Sequence, residues 1–126
     1  MVDLPVPSDF ELAILRMLWR LGPATVREVH DALQHERQMG YTTVLKTMQI
    51  MVDKGLLNRD ESARSHIYQP VAREEETQAG LVRGLLAKAF GGSARRLVMA
   101  ALQEAPMAPE DEAALVEEIR KIRRQS

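Results

Sequence analysis

Two capping boxes in quick succession constrain this chain more than any other feature. Ser8-Asp9-Phe10-Glu11 sets a hydroxyl and a carboxylate three residues apart, the spacing at which each satisfies an orphan amide of a helix start. Thr25-Val26-Arg27-Glu28 repeats the device soon afterwards. Behind the first box, Leu12, Leu15, Trp19 and Ile14, Leu18 recur at three- and four-residue steps, so one face is buried until Gly22 and Pro23 end the helix. Behind the second, Val26, Val29 and Leu33 supply the stripe of a short helix. Two capped helices therefore stand in a row.

A polar turn follows from Gln34 to Gly40, and a third helix is predicted from near Thr42 to Lys54, with Gly55 in the stop position. At 100° per residue, Val44, Met48, Met51 and Val52 share one side, and Thr42, Thr43, Lys46, Gln49, Ile50 and Asp53 share the other. Beyond Gly55 the period shortens. Leu56 to Arg59, a polar loop from Asp60 to Arg64, and Ser65 to Val71 with Ile67 and Tyr68 read as a small hairpin. Three short helices and a two-stranded ribbon make a winged helix-turn-helix.

Past a short linker at Pro70 to Arg73 the pattern is helical again. Leu81, Val82, Leu85, Leu86 and Phe90 form a stripe broken by Gly91 and Gly92. Ser93 can cap a segment carrying Leu97, Val98, Ala101 and Leu102, and Pro106 closes it. A last helix opens on Pro109 with Glu110, Asp111 and Glu112 and ends on Arg120, Lys121, Arg123 and Arg124, the charge order that a helix dipole favours. Its stripe is Leu115, Ile119 and Ile122. Such a segment has no second layer and buries too little surface to stand alone. Either it packs on the winged helix of its own chain or it pairs with a second copy, and a two-fold dimer suits palindromic DNA. The expected fold class is mainly α: a winged helix-turn-helix at residues 1–72 that binds DNA, and a helical dimerisation domain at residues 73–126. The dimer contacts are assigned to Leu81, Leu85, Phe90, Leu97, Val98, Leu102, Leu115, Ile119 and Ile122.

Composition excludes several functions. With no cysteine, thiol redox sensing, thiolate metal sites and cysteine nucleophiles are ruled out together. No apolar run reaches the roughly 18 residues a membrane helix needs, and Met1 to Phe10 lacks the charge and apolar core of a signal peptide, so no membrane insertion and a cytoplasmic location are expected. The histidines His30, His35 and His66 follow no metal-ligand spacing, and no metal or cofactor is expected. There is no glycine-rich phosphate loop, nucleophile elbow or paired-carboxylate setting, so the chain does not read as an enzyme. The seven methionines are expected mostly on buried stripes, and Glu74, Glu75 and Glu76 at a helix start. The net charge of −1 runs against the basic balance usual in DNA-binding domains, and a winged helix that binds another protein instead of DNA stays open.

A helix that reads the major groove needs a narrow exposed face of short hydrogen-bonding side chains. Thr42, Thr43, Lys46 and Gln49 offer one: Gln49 suits an adenine edge, the threonine methyls suit thymine methyls, and Lys46 suits a guanine edge or a phosphate. A plain solvated face would look similar. Ile50 among them points either to a base methyl or to packing beneath the wing. Phosphate contacts are assigned to Thr25 and Arg27 at the start of the second helix, and to Arg64 and Ser65 at the wing, beside Ser62.

The chain resembles the penicillinase repressor family of BlaI, MecI and CopY type, from about Leu4 to the last helix. The resemblance is carried by Glu11 with Leu15 and Leu18-Trp19, by Thr25-Val26-Arg27-Glu28-Val29, Tyr41-Thr42-Thr43-Val44-Leu45 and Lys54-Gly55-Leu56-Leu57, and by Tyr68-Gln69-Pro70. It implies a dimeric repressor on an inverted-repeat operator, in relatives often built from TACA and TGTA half-sites. The genes so controlled commonly concern beta-lactamase, an altered penicillin-binding protein or copper transport. The resemblance further implies a membrane metalloprotease sensor as partner, with relief by cleavage where relatives carry Asn-Phe. Here the aligned pair, and hence the candidate cleavage region, is Ala100-Ala101, a different preference. The C-terminal cysteines of the copper branch are absent, which rejects metal sensing of that kind. Two further departures are Ile50, where relatives often carry a basic residue, and Ser62-Ala63-Arg64, where the wing turn usually has glycine.

Overall fold

Both capping boxes form. In a computed structural model of the chain, which describes residues 5–126, the Ser8 amide donates to Glu11 Oε1 at 2.8 Å and the Glu11 amide donates to Ser8 Oγ at 3.3 Å. They open α1, Asp9–Leu21. The Thr25–Glu28 box opens α2, Val26–Leu33, in the same reciprocal way. The remaining elements are α3 Tyr41–Asp53, β1 Leu57–Asp60, β2 Ile67–Pro70, α4 Glu74–Ala89, α5 Ala94–Glu104 and α6 Pro109–Gln125. Chain order and hairpin are those of a winged helix. α3 starts one residue earlier than expected, at Tyr41, because its cap is Gly40, which has no side chain to announce it.

The α3 stripe drives its own burial: Val44, Met48 and Met51 are fully enclosed with Ile14, Leu15, Leu18, Val29 and Leu33 of the first two helices. Gly55 then turns the chain with φ +83°, while the Leu56 amide donates to the Met51 carbonyl at 2.8 Å and that of Gly55 to Val52 at 3.1 Å. Only glycine takes this left-handed backbone without strain, and the pairing satisfies two end carbonyls of α3 while delivering Leu56 and Leu57 into the core. β1 and β2 pair antiparallel with Arg59 opposite Tyr68. Tyr68 anchors the wing: it exchanges backbone hydrogen bonds with Ala24 at 2.8 and 3.0 Å, so the segment before α2 adds a one-residue bridge to the hairpin.

Two long-range side-chain links complete this part. The Trp19 indole N–H donates to the Ala72 carbonyl at 3.1 Å, tying the residue before α4 to α1. Lys54 Nζ lies 2.8 Å from Glu11 Oε2 and joins the end of α3 to the cap of α1. Burial would raise the Glu11 carboxyl, but the Lys54 ammonium and the Ser8 donors outweigh it and hold the group below its ordinary 4.5.

The chain divides into two compact units, the boundary falling between Val82 and Arg83 inside α4. The expected boundary, after residue 72, lies just before α4. From Arg83 onward no residue is buried. The acidic Glu74, Glu75 and Glu76 do occupy the first turn of α4, where Glu76 accepts from the Arg73 amide at 2.8 Å. The methionines are a partial correction: Met17, Met48 and Met51 are buried, but Met99 and Met107 are exposed, because α5 and the turn after it meet no second layer.

Candidate nucleic-acid interface

With one side of α3 committed to the core, the opposite side carries Thr42, Thr43, Lys46, Gln49 and Ile50, all exposed. These five residues fall together because they recur at one-, three- and four-residue steps along a helix. Ile50 is 50 % exposed, so it does not pack beneath the wing and stands among the polar groups of this face. Thr47 is turned back on the helix, its hydroxyl donating to the Thr43 carbonyl at 2.8 Å.

Beside this face the first residues of α2, the first turns of α3 and the wing border one open cleft of about 290 Å³. Thr25, Arg27, Arg64 and Ser65, assigned from sequence, all line it, together with Tyr41 and His66. Thr25 does not present a free hydroxyl: it accepts from the Glu28 amide at 3.2 Å and donates to Glu28 Oε1 at 3.1 Å. What the α2 start offers an anion is therefore backbone N–H groups and the Arg27 guanidinium, rather than the threonine itself.

Tyr41 escaped the sequence reading as a site residue. Its ring lies under the Arg27 guanidinium at 4.6 Å and meets the edge of His30 at 5.9 Å. The wing turn also explains the missing glycine. Asp60 Oδ1 accepts the Ser62 amide at 2.9 Å, and among the described residues no non-glycine has a positive φ, so Ser62-Ala63-Arg64 turns without a left-handed residue. Hydrogen bonding from Ser62, from its hydroxyl first and its amide second, holds the exposed Asp60 carboxyl below its ordinary 3.8.

The near-neutral total hides an uneven distribution of pairs. Arg16 is paired with Glu36 at 3.0 Å, Lys54 with Glu11 at 2.8 Å and Arg59 with Glu61 at 3.7 Å. Arg27, Lys46 and Arg64 have no carboxylate within 4.0 Å among the described residues. Thus the positive charge left uncompensated includes the three basic residues of this face and its cleft, while the exposed Asp53 ends the same face of α3 with a negative one.

The penicillinase repressor family model matches residues 7–121. The chain belongs to the penicillinase repressor family. The repressor is 38 % identical over 93 residues to the transcriptional regulator BlaI of two Mycobacterium tuberculosis strains, CDC 1551 and H37Rv, covering 73 % of this chain and 67 % of each relative. Among solved structures it resembles the solution structure of monomeric Bacillus licheniformis BlaI bound to the blaP half-operator, and that of the DNA-binding domain of the repressor BlaI. Each comparison has a TM-score of 0.52 and 25 % identity, covering 60 % of this chain and 93 % of the solved one. The protein is a DNA-binding transcriptional repressor with a winged-helix fold, and not an enzyme.

The other assigned residues sit on α4, α5 and α6. Leu85, Val98, Ile119 and Ile122 are exposed at 43, 42, 46 and 63 %, and Leu81, Phe90, Leu97, Leu102 and Leu115 are half-buried. Val82, Met99 and Val116 are exposed as well, though only the first belonged to an expected stripe. Ala100 and Ala101 lie inside α5 with helical backbone. His30 and His66 approach Asp31 at 3.1 Å and Glu61 at 3.8 Å respectively, and no group of three or more metal-binding side chains forms among the described residues. No helix of the described residues is long and apolar enough to cross a membrane.

Proposed function

We propose that the repressor binds an inverted-repeat operator as a homodimer, each protomer laying α3 in the major groove of one half-site. In this reading Thr42, Thr43, Lys46, Gln49 and Ile50 meet base edges, while Arg27, Arg64, Ser65 and the amides following Thr25 meet phosphates. The observation that carries it is the unneutralised Arg27, Lys46 and Arg64 around an outward polar helix face. The Bacillus licheniformis relative, bound as a monomer to a half-operator, supports one winged helix per half-site.

The second copy is assigned to the C-terminal helices, with residues 1–72 binding DNA and residues 73–126 pairing. Leu85, Val98, Ile119 and Ile122 are left uncovered at 42 to 63 %, and large apolar side chains exposed on three successive helices support a surface for association. A two-fold protein also matches a two-fold operator. The control of beta-lactam resistance-type genes, a cytoplasmic location and relief through a membrane metalloprotease belong to the same reading. Cleavage at Ala100-Ala101 would require α5 to unwind first, since proteases take extended backbone.

Titration of the full chain against a duplex carrying TACA and TGTA in inverted repeat, at two salt concentrations, tests the proposal. Affinity should fall steeply with salt, with log K losing about 0.9 per decade of salt for each phosphate contact. A flat response would point to a winged helix that binds protein. Lys46→Ala should cost about 1 to 3 kcal/mol and relax preference at one base position, whereas a phosphate role would weaken every sequence alike.

A further inference from the structure

We propose that Tyr41 is a positioning residue for DNA binding, its ring holding the Arg27 guanidinium ready for a phosphate. The inference rests on the DNA-binding reading above and adds to it a residue whose part is indirect.

The two tyrosines of the chain are differently placed. Tyr68 is 2 % exposed and belongs to the core; Tyr41 is 37 % exposed at the first residue of α3, on the cleft. A tyrosine that served only packing would resemble the first. The Tyr41 ring instead supports Arg27 at 4.6 Å, within cation–π range, and is itself braced by the His30 edge at 5.9 Å. Arg27 and His30 are three residues apart on α2, so one face of that helix clasps the ring.

The choice of partner matters for charge. Arg27 has two acidic neighbours on its own helix, but Glu28 is committed to the Thr25 cap and Asp31 lies 3.1 Å from His30 Nδ1. A carboxylate in place of the ring would neutralise the guanidinium. The ring orders the side chain and leaves its full charge for an incoming phosphate. Arginine is rich in rotamers, and ordering it before binding removes part of the entropy loss that immobilisation brings.

The test is a double-mutant cycle on the full chain: Tyr41→Leu, Arg27→Ala, their combination, and Tyr41→Phe as the conservative control. Dissociation constants are measured by fluorescence anisotropy on the inverted-repeat duplex and on a scrambled duplex of equal length. Tyr41→Leu should weaken binding to both duplexes about two- to fivefold per half-site. Tyr41→Phe should stay within about twofold of the wild type, since the ring is retained. In the Arg27→Ala background Tyr41→Leu should change nothing. A loss of equal size with and without Arg27 would assign Tyr41 to folding and overturn the inference. So would a Phe variant as weak as the Leu variant, which would give the role to the hydroxyl, or a Leu variant as tight as wild type. If the wild type bound neither duplex, the DNA-binding reading would fall first, and the inference with it.

Discussion

From α1 to β2 the chain encloses a core in which Ile14, Val29, Leu33, Val44, Met48 and Met51 are fully hidden; from Arg83 to the end it hides no side chain at all. Both regions carry apolar stripes of helical period. The difference lies in what faces the stripe. In the first region three helices and a hairpin converge on one another and cover their own apolar surface. In the second, the helices keep Val98, Ile119 and Ile122 exposed, at a cost of about 25 cal/mol for each Å² left in water. An amphipathic pattern thus states that a face wants covering, without stating what covers it.

The largest effect should come from the closed region. Leu33→Ala removes buried atoms where all three helices of the winged domain converge, and should lower its unfolding free energy by about 2 to 5 kcal/mol in urea, with loss of operator binding. A cost below 1 kcal/mol would show that this core is looser than its burial states. Next comes the open region. In the proposed dimer, Ile119→Asp should leave the winged helix folded but shift sedimentation toward monomer and weaken operator binding, by about tenfold or more for a pair of half-sites that no longer bind together. An intact dimer would move the interface away from α6, and unfolding of the whole chain would show that the two regions are energetically one.

The smallest effect concerns the Glu11–Lys54 link. Glu11 is held below 4.5, so its contribution is present above that pH and is lost as pH falls through the lowered value. Glu11→Gln should cost about 1 kcal/mol at neutral pH and flatten the stability curve below pH 4.5. Equal acid slopes for the two proteins would free Glu11 of that role.

Sequence reading succeeded where the cause is local. The Ser8–Glu11 and Thr25–Glu28 boxes and the Gly55 stop set element ends through groups a few residues away, and all are found in place. It missed what joins distant residues. Nothing near Trp19 announces Ala72, nothing near Glu11 announces Lys54, and no spacing rule pairs Ala24 with Tyr68. The recognition face was legible because its residues recur along one helix. Its electrostatics were not, since which arginines are neutralised depends on carboxylates brought in by other elements, as Arg16 and Glu36 show. Tyr41 was hidden for both reasons: a glycine cap blurred the start of α3, and its partner Arg27 belongs to another helix.

Trp19 is the single tryptophan of the chain, and its indole N–H is bound to the carbonyl just ahead of α4. Its fluorescence is therefore a built-in probe of that junction: emission shifts to longer wavelength when the residue 72 segment lifts from α1 and water reaches the indole. Without any added label, the molecule reports on the seating of the segment that leaves its wing.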